Sequence, residues 1–460
     1  MKNKRIFALL IPLLVASLSG CSDYSQFIGA GTKASPYLIS SKLDLIKLSS
    51  LLRNYSIKFS KSHYKLTANI DMSGGSFYPI GNESTPFYGN FDGGGHIITN
   101  LDFTNVNQAY GLFGVVGETA HIHNLNLKYD YTYTSNAGLY FGGVAAYVYK
   151  GAKISDCSFS GSIGGNASKI VHDHEMDSDF YTYTLAIKYI RYCIGPAVGG
   201  IAGRSFGEIT NCKVNGSLIG SITGGIVGEN RGIISNCEIN NSTITGYHSV
   251  GSLAGYLNNT SHLQTTIKDS KAYNVSLTSS DFGGGLVGAT FGDVTVSNCL
   301  AYGTHNHMSD TNTINASYFG DLFGAVLYEQ TGVGKETSQK QDSVNVNHLD
   351  INHNLVSFNT SVTGINRHVY NSFPYAEYGS TLTINNNISI IKINKDDVNY
   401  TFHPYVRSGY TFYLADDSEV SVSGAISASS LTKAIVATTL EKDESMIQEI
   451  NIDGLIGYKY

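Results

Sequence analysis

The sequence predicts an all-β fold: a right-handed parallel β-helix with a short N-terminal capping helix and a β-rich C-terminal module. Three observations predict it. A Gly phrase recurs at a near-constant period, an Asn-Cys or Asp-Cys pair trails it at a near-constant offset, and the chain between copies shows short β-branched runs without an amphipathic helical stretch. Gly199-Gly200-Ile201-Ala202-Gly203 is followed by Ile209-Thr210-Asn211-Cys212, Gly224-Gly225-Ile226-Val227-Gly228 by Ile234-Ser235-Asn236-Cys237, and Gly284-Gly285-Leu286-Val287-Gly288 by Val296-Ser297-Asn298-Cys299. Degenerate copies start at Gly111, Gly142, Gly251 and Gly320. The interval from Gly203 to Gly228 is 25 residues and from Gly228 to Gly255 it is 27. Self-similarity at this period marks a stacked repeat, in which no coil buries its inner face without its neighbours.

Each element has a local reason. Glycine costs too much backbone entropy to recur inside helices, whereas a β coil uses it where φ is positive or where neighbouring backbones approach closely. The Asn or Asp before each Cys falls at one fixed corner, where stacked amides can hydrogen-bond in a ladder. Ser41-Lys42-Leu43-Asp44 is a capping box that opens a helix through about Leu52, with Leu45, Leu48 and Leu52 on one face. A helix there covers the first coil and blocks edge pairing. From Cys157 to Cys212 the interval is 55 residues, so about one coil of chain, near 164–195, is an insertion. Past Gly324 the phrase fades. Gly332 to Asp342 reads as a loop, and Ser380 to Ile393, Tyr400 to His403 and Tyr410 to Leu414 read as irregularly spaced strands. The organisation expected is a signal segment at 1–20, a tether at 21–28, the β-helix at 29–330 and a C-terminal cap or small domain at 331–460.

The phrase running from Gly224 to Cys237 resembles the GLUG repeat of bacterial surface proteins. So does the opening segment: Gly29-Ala30-Gly31-Thr32, Ser35-Pro36-Tyr37-Leu38-Ile39, Tyr64 through Asp71, Pro79-Ile80-Gly81, and Phe87 through His96. The resemblance covers about residues 29 to 325. It implies a β-helix of the kind found in large adhesins and beside the zinc peptidase domain of immunoglobulin-cleaving proteases. No His-Glu-x-x-His occurs in this sequence, so the peptidase does not carry over.

Lys2, Lys4 and Arg5 precede an apolar run from Ile6 to Leu18, the pattern of a secretory signal too short to span a bilayer. Leu18-Ser19-Gly20-Cys21 resembles a lipobox, which implies cleavage before Cys21 and its lipidation. Ser22 after it, as in similar lipoproteins of two-membraned bacteria, favours the outer membrane or cell surface. The membrane is then a partner through acyl chains alone, with no further apolar span in the sequence. A net charge of −6 with 14% charged residues provides no basic footprint, which excludes nucleic acid as a partner.

Cys157, Cys212, Cys237 and Cys299 share one slot of the repeat with Leu125 and Ser270. A slot that accepts Leu is an interior packing position, where a free thiol behaves as a small hydrophobe. Oxidation of stacked thiols, notably Cys212 with Cys237, is the alternative. Cys193 lies outside the pattern and is the candidate reactive thiol.

Candidate ligands cluster in the insertion. His172, Asp173, His174, Glu175, Asp177 and Asp179 form the densest set of metal-ligating groups, although an extended backbone points the histidines away from the acids and the calcium-loop pattern fails. Tyr181, Tyr183, Tyr189 and Tyr192 beside them can stack on sugars or protein side chains. Asp92-Gly93-Gly94-Gly95-His96 reads as a structural turn. Asp416-Asp417 pairs two acids as β-helix glycosidases do, without their companion motifs. No catalytic constellation is complete and no cofactor is implied. The expected function is a lipid-anchored adhesin or interaction scaffold for host or cell-surface glycan or protein. A polysaccharide-active β-helix lyase or hydrolase and an envelope structural or secretion-accessory lipoprotein are the alternatives.

Overall fold

A computed structural model describes residues 27–54, 56–103, 109–133, 140–165, 196–259, 265–280, 282–307, 317–320, 322–326, 348–362, 367–370, 381–394, 400–403, 410–418, 425–452 and 455–460. Three long parallel sheets run side by side along one axis. Sheet 1 has 11 described strands, among them His121–His123, Lys153–Ser155, Glu208–Thr210 and Ile233–Ser235, in strict order along the chain. Sheet 3 has seven described strands from Phe113–Val116 to Phe323–Val326, and sheet 2 has 20, including the long strands Lys213–Gly224 and Glu238–Gly251. Among the described strands every pairing between coils is parallel, as in Ile154↔Ile209↔Ile234↔Ile267↔Val296, and the register shifts only within sheet 2, between Val214 and Ser217, between Gly220 and Ile222, and between Ala272 and Val275. The predicted parallel β-helix is the fold.

The core is a set of such columns. Tyr64, Phe91, Ile122, Ile154, Ile209, Ile234, Ile267, Val296 and Ile351 stack inside sheet 1, all buried. The slot behind each corner forms a second interior stack: Leu125, Cys157, Cys212, Cys237, Ser270 and Cys299, continued by Asn354 and Asn387. The four cysteines are free thiols. They are more than small hydrophobes. Each Sγ donates to the carbonyl two residues back, for example Cys212 to Thr210 at 3.3 Å and Cys299 to Ser297 at 3.2 Å, as the Ser270 hydroxyl does to Lys268 at 2.9 Å. Burial pushes the Cys299 thiol up to about 12 and raises those of Cys212 and Cys237, which holds them as inert thiols.

The two roles expected of glycine are divided between different residues. Positive φ at the corner belongs to Asn124, Asp156, Asn211, Asn236, Asp269, Asn298, His353 and Asn386, with φ between 51° and 59°. Asn and Asp tolerate this region because their short polar side chains bond locally. Here they also bond between coils, Asn211 Nδ2 donating to Asp156 Oδ1 at 3.2 Å and Asn124 Nδ2 to Asp92 Oδ1 at 3.2 Å. The phrase glycines serve close approach. A Cβ on Gly225 would lie 2.2 Å from the Ser252 carbonyl oxygen of the next coil.

Helix α1 (Lys42–Arg53) is opened by the expected capping box, with Ser41 Oγ accepting from the Asp44 amide at 3.3 Å and Asp44 Oδ2 accepting from the Ser41 amide at 3.0 Å. Leu45, Leu48 and Leu52 are buried as predicted, and Ser49 Oγ donates to the Tyr78 carbonyl at 2.6 Å.

The coil reaches further than the repeat phrase. Tyr37–Ile39 already pairs with His63–Leu66, and beyond residue 331 His348–Asn352 and Thr381–Asn385 extend sheet 1 while Leu355–Val362, Asn387–Asn394 and Tyr410–Leu414 extend sheet 2. The strands expected to form a cap or separate module from 331 are therefore largely further coils of the same helix. The phrase fades there because other residues do the same work. Asn354 Oδ1 accepts from the Cys299 amide at 2.9 Å, and Asn387 Oδ1 from the Asn354 amide at 3.1 Å, so amides replace thiols in the slot.

After Ile426–Ser427, which still pairs in parallel with Tyr413 and Leu414, the described segment 428–460 departs from the coil. Helix α2 (Lys433–Leu440) and the antiparallel hairpin Gln448–Ile452/Leu455–Lys459 pack on sheet 2 over Leu300, Leu355, Ile388, Ile390 and Tyr413, a cluster distinct from the main core. Ser357 Oγ donates to the Ile456 carbonyl at 2.9 Å, Tyr273 Oη to the Tyr460 carbonyl at 2.8 Å, and His353 Nδ1 lies 3.0 Å from the Thr439 carbonyl. This strap holds several successive coils together from outside.

Candidate binding surface

The last glycine of each phrase shapes the corner between sheets 2 and 3. A Cβ on Gly228 would meet the Val198 amide at 2.6 Å, and one on Gly288 the Val250 amide at 2.4 Å. With no side chain between the backbones, residues of the two sheets come together beyond the glycine. Ala197, Ile222, Tyr256, Ala289 and Phe291 form a third apolar cluster there, with Tyr140 and Phe282 packed against it.

On sheet 3 the column next to these glycines runs Val115, Tyr147, Arg204, Glu229, Tyr256, Ala289. The Glu229 side chain is only 5% exposed and lies between two arginines. Its Oε2 accepts from Arg204 Nε at 2.6 Å and from Arg204 Nη2, and its Oε1 accepts from Arg231 Nε at 2.9 Å and from Asn258 Nδ2 at 3.3 Å. Burial is the largest influence on Arg204 and opposes its charge, but the Glu229 carboxylate together with Tyr140 and Tyr147 raises the guanidinium above its ordinary range. Both arginines lie on aromatic rings, Arg204 at 4.8 Å from the Tyr140 centroid and Arg231 at 5.2 Å from that of Phe206. Tyr147 contacts Tyr140 at 5.5 Å, Tyr149 at 5.1 Å and Phe206 at 5.6 Å between centroids. The half-buried rings and two fixed guanidiniums form one patch. Burial raises the Tyr140 and Tyr147 hydroxyls, so both stay neutral.

The sequence did not single this patch out, because residues 147, 204 and 229 meet only through strand register. A signal was present: the residue after the last phrase glycine is charged at Arg204 and Glu229, where other copies carry Tyr256 or Ala289. The residues that were singled out fare differently. Cys21, the cluster His172, Asp173, His174, Glu175, Asp177 and Asp179, the tyrosines Tyr181, Tyr183, Tyr189 and Tyr192, and Cys193 lie outside the described residues. Asp92 to His96 is a turn, with Asp92 Oδ1 accepting from the Gly94 amide at 2.9 Å and φ of 59° and 76° at Gly94 and Gly95. Asp416 and Asp417 are engaged separately, Asp416 by the Ser427 hydroxyl and Asp417 by Lys392. Among the described residues, no three His, Cys, Asp or Glu side chains converge as metal ligands would.

The chain carries the GLUG motif, whose sequence profile matches residues 195–219. It is similar to a protein of Evansella cellulosilytica provisionally named a Gly-rich membrane protein, at 34% identity over 133 residues, 28% of this chain and 15% of that protein. It is also 36% identical over 124 residues, 24% of this chain and 1% of its partner in the comparison, to halomucin of Haloquadratum walsbyi. The chain thus spans a small part of either relative. A crystal structure from Bacteroides ovatus, provisionally called an immunoglobulin A1 protease, aligns over 94% of both chains with 16% identity and a TM-score of 0.44.

Proposed function

We propose that this chain is a lipid-anchored cell-surface protein that acts as a non-catalytic adhesin or interaction scaffold. The observation that carries this reading is the unbroken parallel ladder from Tyr37 to Leu414, which supplies a rigid, elongated surface. The GLUG motif and the names of its relatives, a membrane protein and a halomucin, support a surface location. Cys21 is the proposed lipid attachment site, and glycans or proteins of host or neighbouring cells are the proposed partners. The described chain stops at Gly165 and resumes at Pro196, and the neighbouring Ala197 pairs with Tyr140 of the aromatic patch.

Two measurements test the reading. Wild-type protein should partition with membranes and incorporate labelled fatty acid, while Cys21→Ser accumulates as precursor; a soluble, unlipidated mature form refutes the anchor. Protease shaving of intact cells should release the protein, and the purified chain should bind components of glycan or matrix-protein arrays without altering them. Shortened polysaccharide in that assay would replace the scaffold with an enzyme.

A further inference from the structure

The inference rests on the lipid-anchor reading and extends it from the acyl chains to the folded end that follows them. The net charge of −6 hides an uneven distribution. From Phe27 to Leu66, the segment that closes the first coil, seven Lys and Arg side chains stand against one carboxylate, Asp44, while the chain past Leu66 carries an excess of acids. Asp44 is itself engaged in the capping box, its Oδ2 accepting from the Ser40 and Ser41 amides at 3.0 Å. Lys65 pairs with Asp92 at 3.9 Å, and Lys42 lies on the Ser73 carbonyl within the field of Asp71. The other five, Lys33, Lys47, Arg53, Lys58 and Lys61, have no carboxylate partner among the described residues. Three of them lie against rings, which leave the charge uncompensated: Lys47 Nζ is 4.8 Å from the Phe27 centroid, Arg53 4.2 Å from that of Tyr78 and Lys58 Nζ 5.6 Å from that of Phe59.

The three most exposed large apolar side chains among the described residues belong to the same segment: Leu43 at 75%, Ile28 at 73% and Ile57 at 64%. A lone exposed Leu needs no explanation, but three beside uncompensated cations do. On α1, Leu45, Leu48 and Leu52 turn to the core, and Leu43, Lys47 and Ser50 fall on the opposite face at helical spacing. The contact of Lys47 with Phe27 brings Ile28 alongside that outer face, and Phe27 also packs on Phe59, two residues after Ile57, at 6.2 Å between centroids. Apolar side chains interleaved with Lys and Arg suit the headgroup layer of a bilayer, where the first enter the acyl boundary and the second meet phosphates. Cys21 precedes Phe27 by six residues, a reach of at most about 20 Å, so a lipid there holds this end close to the membrane. We infer that the N-terminal cap docks on a bilayer of anionic lipids, which sets the first coil at the membrane and points the later coils away from it.

The test uses the chain from Ser22 onward, which contains every described residue and carries no lipid, sedimented with vesicles of phosphatidylcholine alone or mixed with phosphatidylglycerol. Binding to the anionic vesicles should be at least about tenfold tighter and should weaken as salt rises. The double variant Lys58→Gln, Lys61→Gln should lose about tenfold, and Leu43→Ser with Ile57→Ser about fivefold, at an unchanged melting temperature because all four side chains are exposed. Lys213→Gln, exposed on sheet 2, should bind as the wild type does. Equal binding to the two kinds of vesicle, binding to neither, undiminished binding by the Lys58 and Lys61 variant, or an equal loss in Lys213→Gln overturns the inference. So does salt-sensitive capture of duplex DNA in place of vesicles. Any of those results together with fatty-acid incorporation at Cys21 would keep the anchor and reject the docking. Binding of the lipid-free chain to anionic vesicles, with no fatty acid on the wild type, would keep the docking and reject the anchor.

Discussion

The outer face of sheet 2 has two halves that differ in one respect. Reading up one column, Ser158, Lys213, Glu238 and Lys271 give way to Leu300, Leu355 and Ile388. Lys213 is exposed, whereas Leu300, Leu355 and Ile388 are buried under the strap. The backbone ladder is the same in both halves. The lower half carries alternating charge, with Lys271 at its top already bound by the carbonyl of Tyr460, and the upper half is completed by a segment from the end of the chain. A solenoid face that turns apolar marks where another element lies on it.

Removing the strap breaks the comparison most severely. A chain ending at residue 424 should expose Leu300, Leu355, Ile388, Ile390 and Tyr413, bind a hydrophobic dye and self-associate in sedimentation. A monomeric, dye-silent truncation would show that the strap is dispensable. Single substitutions sharpen the contrast. Leu355→Ala should destabilise the upper coils by about 2–5 kcal/mol in urea unfolding, whereas Glu238→Ala, in the same column below, should stay within about 0.5 kcal/mol.

The halves should also respond differently to pH. In the upper half His305 is fully buried and burial lowers its pKa to about 3, so the folded state takes up its proton far later than the unfolded chain does. Stability from this site is complete above the unfolded value near 6.5 and falls by roughly 1 kcal/mol per pH unit as pH drops toward 3. His305→Gln should flatten that slope in hydrogen exchange of the upper coils. Among the lower coils, on the sheet 1 strand Asn90–Asp92, Asp92 loses to burial but gains more from the Gly94 amide, Asn124, His123 and Lys65 together, and its pKa is lowered. Its contribution is present above the ordinary carboxylate range and is lost below it, so the lower coils should loosen only at more acidic pH.

The smallest effect is at the corner shared by both halves. Asn211→Ala should cost about 1 kcal/mol for a left-handed backbone without a local bond, and Asn211→Gly should recover most of the strain component. Equal stability of both variants would detach the corner from its φ of 54°.

How much was legible follows from how local each cause is. The capping box at Ser41 and Asp44 lies within one turn of chain, and it forms as read. The corner Asn and slot Cys recur at a fixed offset, so stacking was legible, although the division between Asn at positive φ and Gly at close approach was not. Asn354 and Asn387 hid the upper coils because an amide satisfies the same interior slot as a thiol. The strap's target was hidden because Leu300, Leu355 and Ile388 are neighbours only through sheet register.

Periodicity by itself determined the parallel β-helix, its capping helix and the inward stack of the slot residues, because each depends on spacing within one coil. Tertiary structure alone decided the length of the helix, the face the strap covers, and the meeting of Tyr147, Arg204 and Glu229 across three coils. Those depend on which strands become neighbours, and stacking brings residues 25 or more positions apart to about the 4.8 Å spacing of adjacent strands.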